Sequence, residues 1–204
     1  MATFFGNNFA NYLAGLTTQA NTIYGYGGND TIVGQGFNDT LVAGSGNDVV
    51  YGGGGNDKMW GEAGDDDLYG GSGADTVSGG SGFDYVDGGT GNDKLFGGAD
   101  DDIVKGSAGN DVVDGGTGDD DLWGGTGYDT FQFADFGGFD IIHDFTLDVD
   151  RITLNVSSVW SINDVWDSLY QAGADAVLDF GGGDLLVLTN TNANALVASD
   201  FLIV

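Results

Sequence analysis

Twelve aspartates stand nine residues apart: Asp30, Asp39, Asp48, Asp57, Asp66, Asp75, Asp84, Asp93, Asp102, Asp111, Asp120 and Asp129. Two residues after each comes an apolar side chain: Ile32, Leu41, Val50, Met59, Leu68, Val77, Val86, Leu95, Val104, Val113, Leu122 and Phe131. Carboxylates at a fixed period are candidate ligands for a hard cation. A core residue locked to the same period puts them on a solenoid and not around an ordinary globular core. The unit is a nine-residue phrase that runs unbroken from Gly25 to Gln132, with Asp sixth, the apolar residue eighth and glycine crowding the first four places.

The elements that must hold these carboxylates follow from the phrase. It divides into a turn of six residues and a strand of three. Strand side chains alternate, so place eight points inward and places seven and nine point outward. A three-residue strand cannot bury a face alone. Two phrases therefore make one coil, and stacked coils give two parallel sheets about 10 Å apart with the apolar residues between them. Six coils at about 4.8 Å each span roughly 29 Å. Each Asp then lies about 4.8 Å from its counterpart one coil away. A column of bare carboxylates at that distance repels itself, and a divalent cation between rungs turns the repulsion into attraction. Ca²⁺ accepts six to eight oxygens in irregular geometry, so glycine-rich turns that aim carbonyls inward complete its shell; Mg²⁺ demands a stricter octahedron and keeps its waters. Zinc prefers His or Cys, and the chain has one His and no Cys.

Composition narrows the partners. The chain has 204 residues, 32 acidic against 4 basic, and a net charge of −28. Nucleic acid is excluded as a partner, because phosphate contacts need Lys and Arg, and approach to an anionic membrane is disfavoured. The 40 glycines are periodic, which marks backbone positions needing positive φ and not a flexible linker. A hydrophobic content of 41% is too high for a disordered acidic chain once cations are present. No disulfide is possible, and no apolar run reaches the length of a transmembrane segment. Residues 1–15 carry neither the basic start nor the long apolar core of a secretory signal peptide. Catalysis finds no support: there is no H-E-x-x-H helix, and Ser45, Ser72 and Ser81 miss the pair of flanking glycines of a nucleophile elbow, each lacking the one two places on. The chain is read as non-enzymatic, with His143 a strand residue.

Three regions result. Residues 1–24 read as a degenerate N-terminal cap, with Asn11 and Asn21 where Asp would stand and Leu13 and Ile23 at the apolar place. Residues 25–132 are the array. Residues 133–204 read as a β-rich C-terminal cap: strands over 139–145 and 151–156, a helix over 161–173 started by Ser161 and Asp164, and a hairpin of 175–180 with 184–188 around Gly181-Gly182-Gly183. Trp160 and Trp166 are expected in the core of this cap. Tyr51, Trp60, Tyr69, Phe96 and Trp123 occupy place nine and are expected to form an outward aromatic stripe. An anionic glycan would call for these aromatics and Lys58, Lys94, Lys105 and Arg151 on one face.

GGGGNDKMW (52–60), GGSGADTVS (70–78) and GGTGNDKLF (88–96) fit the pattern GGxGxDxUx and resemble the calcium-binding nonapeptide of the RTX family. The resemblance implies an all-β fold, a right-handed parallel β-roll with a C-terminal cap carrying one helix. It implies Ca²⁺ between turns on the same edge, held by the twelve aspartates, in roughly ten interior sites. Filling these would leave a net charge of about −8. Phe37 and Asp100 replace the fourth glycine, Tyr26, Gln35, Glu62 and Ser107 the second, and Ala43 the first. The site at Phe37 is expected to be distorted or empty, and the others weakened. The tail, at 129–145, 175–188 and 198–204, resembles the end of serralysin-type proteases and of alginate epimerase R-modules. Asp200-Phe201-Leu202-Ile203-Val204 has the form of their type I export signal. The resemblance therefore implies a secreted, extracellular bacterial protein, handled by type I secretion machinery, that folds on meeting calcium. Three roles stand: a folding and export module of a larger enzyme, a polysaccharide-binding R-module, or a free-standing extracellular calcium-binding protein.

Overall fold

A computed structural model of the chain describes residues 1–134, 137–155, 159 and 161–204. Successive strands go alternately to two sheets, so that each pairs in parallel with the strand 18 residues away, as Thr40 does with Lys58 and Lys58 with Thr76. One sheet has ten strands and the other eleven. The eighth-place residues of all twelve phrases are fully buried between them. The coils are therefore held by a thin apolar column, two side chains per coil, and by the ladders at the edges. This is the β-roll that the phrase and the resemblance imply.

The division of the phrase differs from the sequence expectation. Strands are six residues long, as in Thr31–Gly36, Thr40–Ser45 and Val49–Gly54. They cover places seven to nine and run on through places one to three of the next phrase. The turn shrinks to places four to six. The first-place glycine belongs to the strand because it needs no room for a side chain: a Cβ on Gly34 would collide with the carbonyl of Gly52 and with Asp39. The second and fourth places have positive φ throughout, including the non-glycine residues Tyr26, Gln35, Phe37, Glu62, Asp100 and Ser107.

Residues 1–24 continue the roll. Ala2–Asn7 pairs in parallel with Asn21–Gly27, and Tyr12–Ala14 with Thr31–Gly36. Beyond the array, Phe139–Ile142 and Arg151–Asn155 extend both sheets, and Phe201–Ile203 forms the last strand of the ten-stranded sheet. Asp184–Leu188 adds to Phe139–Ile142 in parallel and turns back as an antiparallel hairpin with Asp175–Gly181. The helix is shorter than expected, Ile162–Ser168, with the Asp164 carboxylate accepting from the N–H and Oγ of Ser161. Leu169–Ala172, read from its spacing as helix, is a strand paired with 175–178. Gly173, at φ 68, makes the hairpin turn and not a helix stop. Trp166 packs edge-on against Phe201; Trp160 and Val156 lie outside the described residues. No helix among the described residues is long and apolar enough to cross a membrane.

Candidate metal centre

The alternation of phrases splits the twelve aspartates into two files, one along each edge of the roll. Asp39, Asp57, Asp75, Asp93, Asp111 and Asp129 form one file, and Asp30, Asp48, Asp66, Asp84, Asp102 and Asp120 the other. All twelve are at most 3% exposed. Within a file the rungs are joined by one hydrogen bond each: the N–H of Asp57 donates to Oδ1 of Asp75 at 2.7 Å, and that of Asp75 to Oδ1 of Asp93 at 2.7 Å. The bond at the Phe37 rung, Asp39 N–H to Asp57 Oδ1, is also 2.7 Å. Phe37 takes the left-handed turn there at φ 76, so the backbone of that rung is not displaced.

The second oxygen is the informative one. Oδ2 of every one of the twelve aspartates is buried and accepts no hydrogen bond. An orphaned carboxylate oxygen away from water carries a desolvation cost of about 1–3 kcal/mol or more. Twelve repeats of the same orphaned oxygen fit a positively charged partner better than a chance packing fault. Burial accordingly pushes the acids up from their ordinary value, partly offset by the ladder N–H and aided by neighbouring carboxylates: Asp57, Asp66 and Asp93 to about 7, and Asp102 to about 8. A proton or a cation relieves the same strain. Backbone oxygens complete the donor set. The carbonyl of Ala43 overhangs Gly25 beside Asp30 Oδ2, and the carbonyl of Gly70 overhangs Gly52 beside Asp57 Oδ2. Among the described residues no three carboxylate, imidazole or thiolate side chains converge. The arrangement of one carboxylate per rung plus carbonyls suits an oxygen-seeking ion of irregular coordination, which is calcium chemistry.

Sequence reasoning missed three parts of this edge. Asp140 and Asp150 continue the two files past the array, taking N–H bonds from Asp120 at 3.2 Å and Asp129 at 3.0 Å. They stand 20 and 21 residues on from those rungs, which hides them from a nine-residue period. The signal was nevertheless present, since each has an isoleucine two places later, Ile142 and Ile152. Place five forms a second, outer ladder running the opposite way: Asn38 Oδ1 accepts from Asn56 N–H at 2.9 Å and Asn110 Oδ1 from Tyr128 N–H at 2.9 Å. The recurrence of Asn and Asp at that place was its signal. Finally, Asp144 clamps the N–H groups of Gly124 and Gly125, both at 2.9 Å, where the regular strand pairing ends.

The outward aromatics do not make one stripe, because odd and even phrases face opposite ways. Tyr51, Tyr69 and Trp123 lie on the eleven-stranded sheet with Lys105, whose ammonium sits 5.0 Å from the rings of both Tyr85 and Trp123. Trp60 and Phe96 lie on the ten-stranded sheet with Lys58, Lys94 and Arg151. Tyr51 and Tyr69 stack on each other at 5.1 Å, so they present edges and not faces. His143 stacks on Trp123 at 4.1 Å, and its Nε2 meets Asp121 Oδ1 at 2.5 Å.

A profile of the RTX calcium-binding nonapeptide repeat, four copies long, matches residues 5–41, 33–68, 42–77, 69–104 and 96–131. No curated protein gives a significant sequence match. Similar solved structures include the extracellular lipase LipA from Serratia marcescens, at 16% identity and a TM-score of 0.42; the alignment covers 100% of this chain and 40% of the lipase. They also include the AlgE6R3 subunit of the Azotobacter vinelandii mannuronan C5-epimerase, at 27% identity and a TM-score of 0.38, covering 67% of this chain and 77% of that one.

Proposed function

The chain belongs to the RTX calcium-binding nonapeptide-repeat family, and from that premise we propose that it is a secreted, non-catalytic module that folds when calcium fills the aspartate files. The observation that carries this reading is the set of twelve buried, unpartnered Oδ2 atoms. Asp30, Asp39, Asp48, Asp57, Asp66, Asp75, Asp84, Asp93, Asp102, Asp111, Asp120 and Asp129 are the ligands, with turn carbonyls completing each shell. Calcium supplies positive charge that the side chains do not: the net charge is −28. Where free calcium is scarce the chain stays extended by its own repulsion; where it is abundant, binding free energy becomes folding free energy.

RTX repeats are typical of secreted bacterial proteins, and the reading extends to export by type I machinery through the segment Asp200–Val204. In the folded chain Asp200 is buried and Phe201–Ile203 is paired as a terminal strand. Recognition of that segment would then have to precede folding. A second reading, attachment to an acidic extracellular polysaccharide, is favoured by the exposed column of Lys58, Lys94 and Arg151 beside Trp60 and Phe96 on the ten-stranded sheet. Retention on a polyuronate column that disappears on changing Lys58 and Lys94 to Glu would support it.

The main reading is tested by far-UV circular dichroism during a calcium titration from chelated protein at neutral pH. A disordered spectrum that converts cooperatively to β with calcium, and not with equal magnesium, is expected. A β spectrum already complete in excess chelator would overturn it.

A further inference from the structure

The two oxygens of each ladder carboxylate look in opposite directions along the roll. Oδ1 takes the N–H of the rung one coil towards the N-terminus, as Asp48 Oδ1 does from Asp30. Oδ2 looks the other way. At eight of the twelve rungs it lies beside the first-place glycine of its own phrase, as does the carbonyl one coil towards the C-terminus: Asp30 Oδ2 with Ala43 O, Asp66 Oδ2 with Gly79 O, Asp111 Oδ2 with Gly124 O. Both are acceptors, and Oδ2 finds no donor there.

Asn21 shows what a rung looks like when that gap is closed by chemistry of its own. It is fully buried in the place of an array aspartate. Its Nδ2 overhangs Gly15 together with Gly34 O, the same position that Oδ2 holds elsewhere. From there it donates to Gly34 O at 3.2 Å and to Asp39 Oδ1 at 2.9 Å. An N–H bond thus stands where the other rungs have only oxygens.

At the opposite end the direction of Oδ2 matters more. Twelve rungs in two files leave five gaps within each file, but there are twelve orphaned oxygens. The remaining two belong to Asp120 and Asp129, whose Oδ2 atoms lie against Gly115 and Gly124 at the last rungs of the array. Asp140 and Asp150 stand across those gaps, 4% and 5% exposed, and continue the ladder bonds. A cavity of about 270 Å³ opens beside the second gap, lined by Asp129, Asp148, Asp150 and Ser199 among others. Asp150 Oδ2 takes the N–H of Thr146 at 2.8 Å, and a carboxylate oxygen with one hydrogen bond keeps a further lone pair.

We propose that two cation sites lie outside the nonapeptide array, one between Asp120 and Asp140 and one between Asp129 and Asp150. Each takes a hard divalent cation such as calcium and pins the C-terminal unit to the roll. Asn21 ends the Asp39 file at its N-terminal side without an ion. The proposal rests on the reading that the orphaned Oδ2 atoms of the array bind calcium.

Native mass spectrometry of the full chain in saturating calcium tests it. Wild type is expected to carry one ion for each of the twelve orphaned oxygens. Asp150→Asn, which keeps the ladder acceptor, should carry one fewer, and the Asp140→Asn, Asp150→Asn double variant two fewer. Asn21→Asp should gain one, and that variant tests the directional rule independently of any folding defect at the C-terminal end. A wild type that stops at the array's own gaps, with no loss in the double variant, would overturn the proposal and leave the array reading intact. A wild type that binds no calcium would overturn both.

Discussion

The array and the C-terminal unit both bury aspartates, and they treat the second oxygen differently. In the array Oδ2 of each ladder residue meets no donor. In the C-terminal unit each oxygen of Asp150 accepts one N–H bond, from Asp129 and from Thr146, and buried Asp200 takes the N–H of Val197 at 2.7 Å. The C-terminal unit also has a broader apolar core, with Val165, Ala176, Leu178, Leu186 and Leu188 fully buried from a helix and a hairpin, where each array coil offers two side chains. The lesson is that dependence on a cation belongs to the array's edges and not to the fold as a whole. Away from its seam with the roll, where Asp140 and Asp150 stand, a region with so wide a core is expected to hold without ions. A region built of thin coils with bare oxygens is not.

The largest effect should come from removing calcium. Hydrogen exchange in chelator at neutral pH is expected to strip protection from the amides of 25–132 and to leave more of it in 165–188. Uniform loss would break the comparison. Acid should substitute for the ion next. Burial raises Asp57, Asp66 and Asp93 to about 7 and Asp102 to about 8 from an unfolded value of 3.8. Folding therefore favours their protonated forms: the resulting stability is full below the unfolded value and is lost as pH rises through 6–8. Chelated protein should gain β structure by circular dichroism on acidification through that window, whereas calcium affinity should fall over the same range as protons compete. An acid titration without any gain in chelator would contradict the assignment of the strain to these carboxylates.

Smaller effects sharpen the picture within the array. Asp75→Ala lies in mid-file and disturbs the gaps on both sides, so the calcium midpoint should rise by about tenfold, roughly 1.4 kcal/mol. Asp30→Ala at the end of its file should cost less, and equal shifts would argue against nearest-neighbour coupling between coils. Smallest is Glu62→Gly. Glu62 is held at φ 79, a left-handed conformation that costs a non-glycine residue about 1–2 kcal/mol. Thermal melts of the calcium-loaded protein should show a modest rise in stability; a fall would mean the Glu62 side chain contributes more than its backbone strain removes.

Most of this organisation is legible in the chain because period and chemistry coincide. A carboxylate at place six and an apolar residue at place eight dictate stacked coils, parallel sheets and two acidic files. What the period could not reveal lies where spacing departs from it. Asp140 and Asp150 keep the Asp-x-Ile signature but slip out of the nine-residue register. Leu169 and Tyr170 carry helical spacing, yet the pairing of 169–172 with 175–178 outweighs that local pattern. The extension of each strand through the first three places depends on close approach of neighbouring coils, which single-phrase reasoning does not contain. The split of Lys105 from Lys58, Lys94 and Arg151 follows from phrase parity, and was readable had odd and even phrases been separated.

A crystal structure of the protein grown in calcium would test the central claim most directly. The account predicts a spherical density peak about 2.3–2.6 Å from Oδ2 of each ladder aspartate, on its C-terminal side, and none beside Asn21. Intact coils in calcium-rich crystals, with those oxygens still facing only carbonyls, would contradict it.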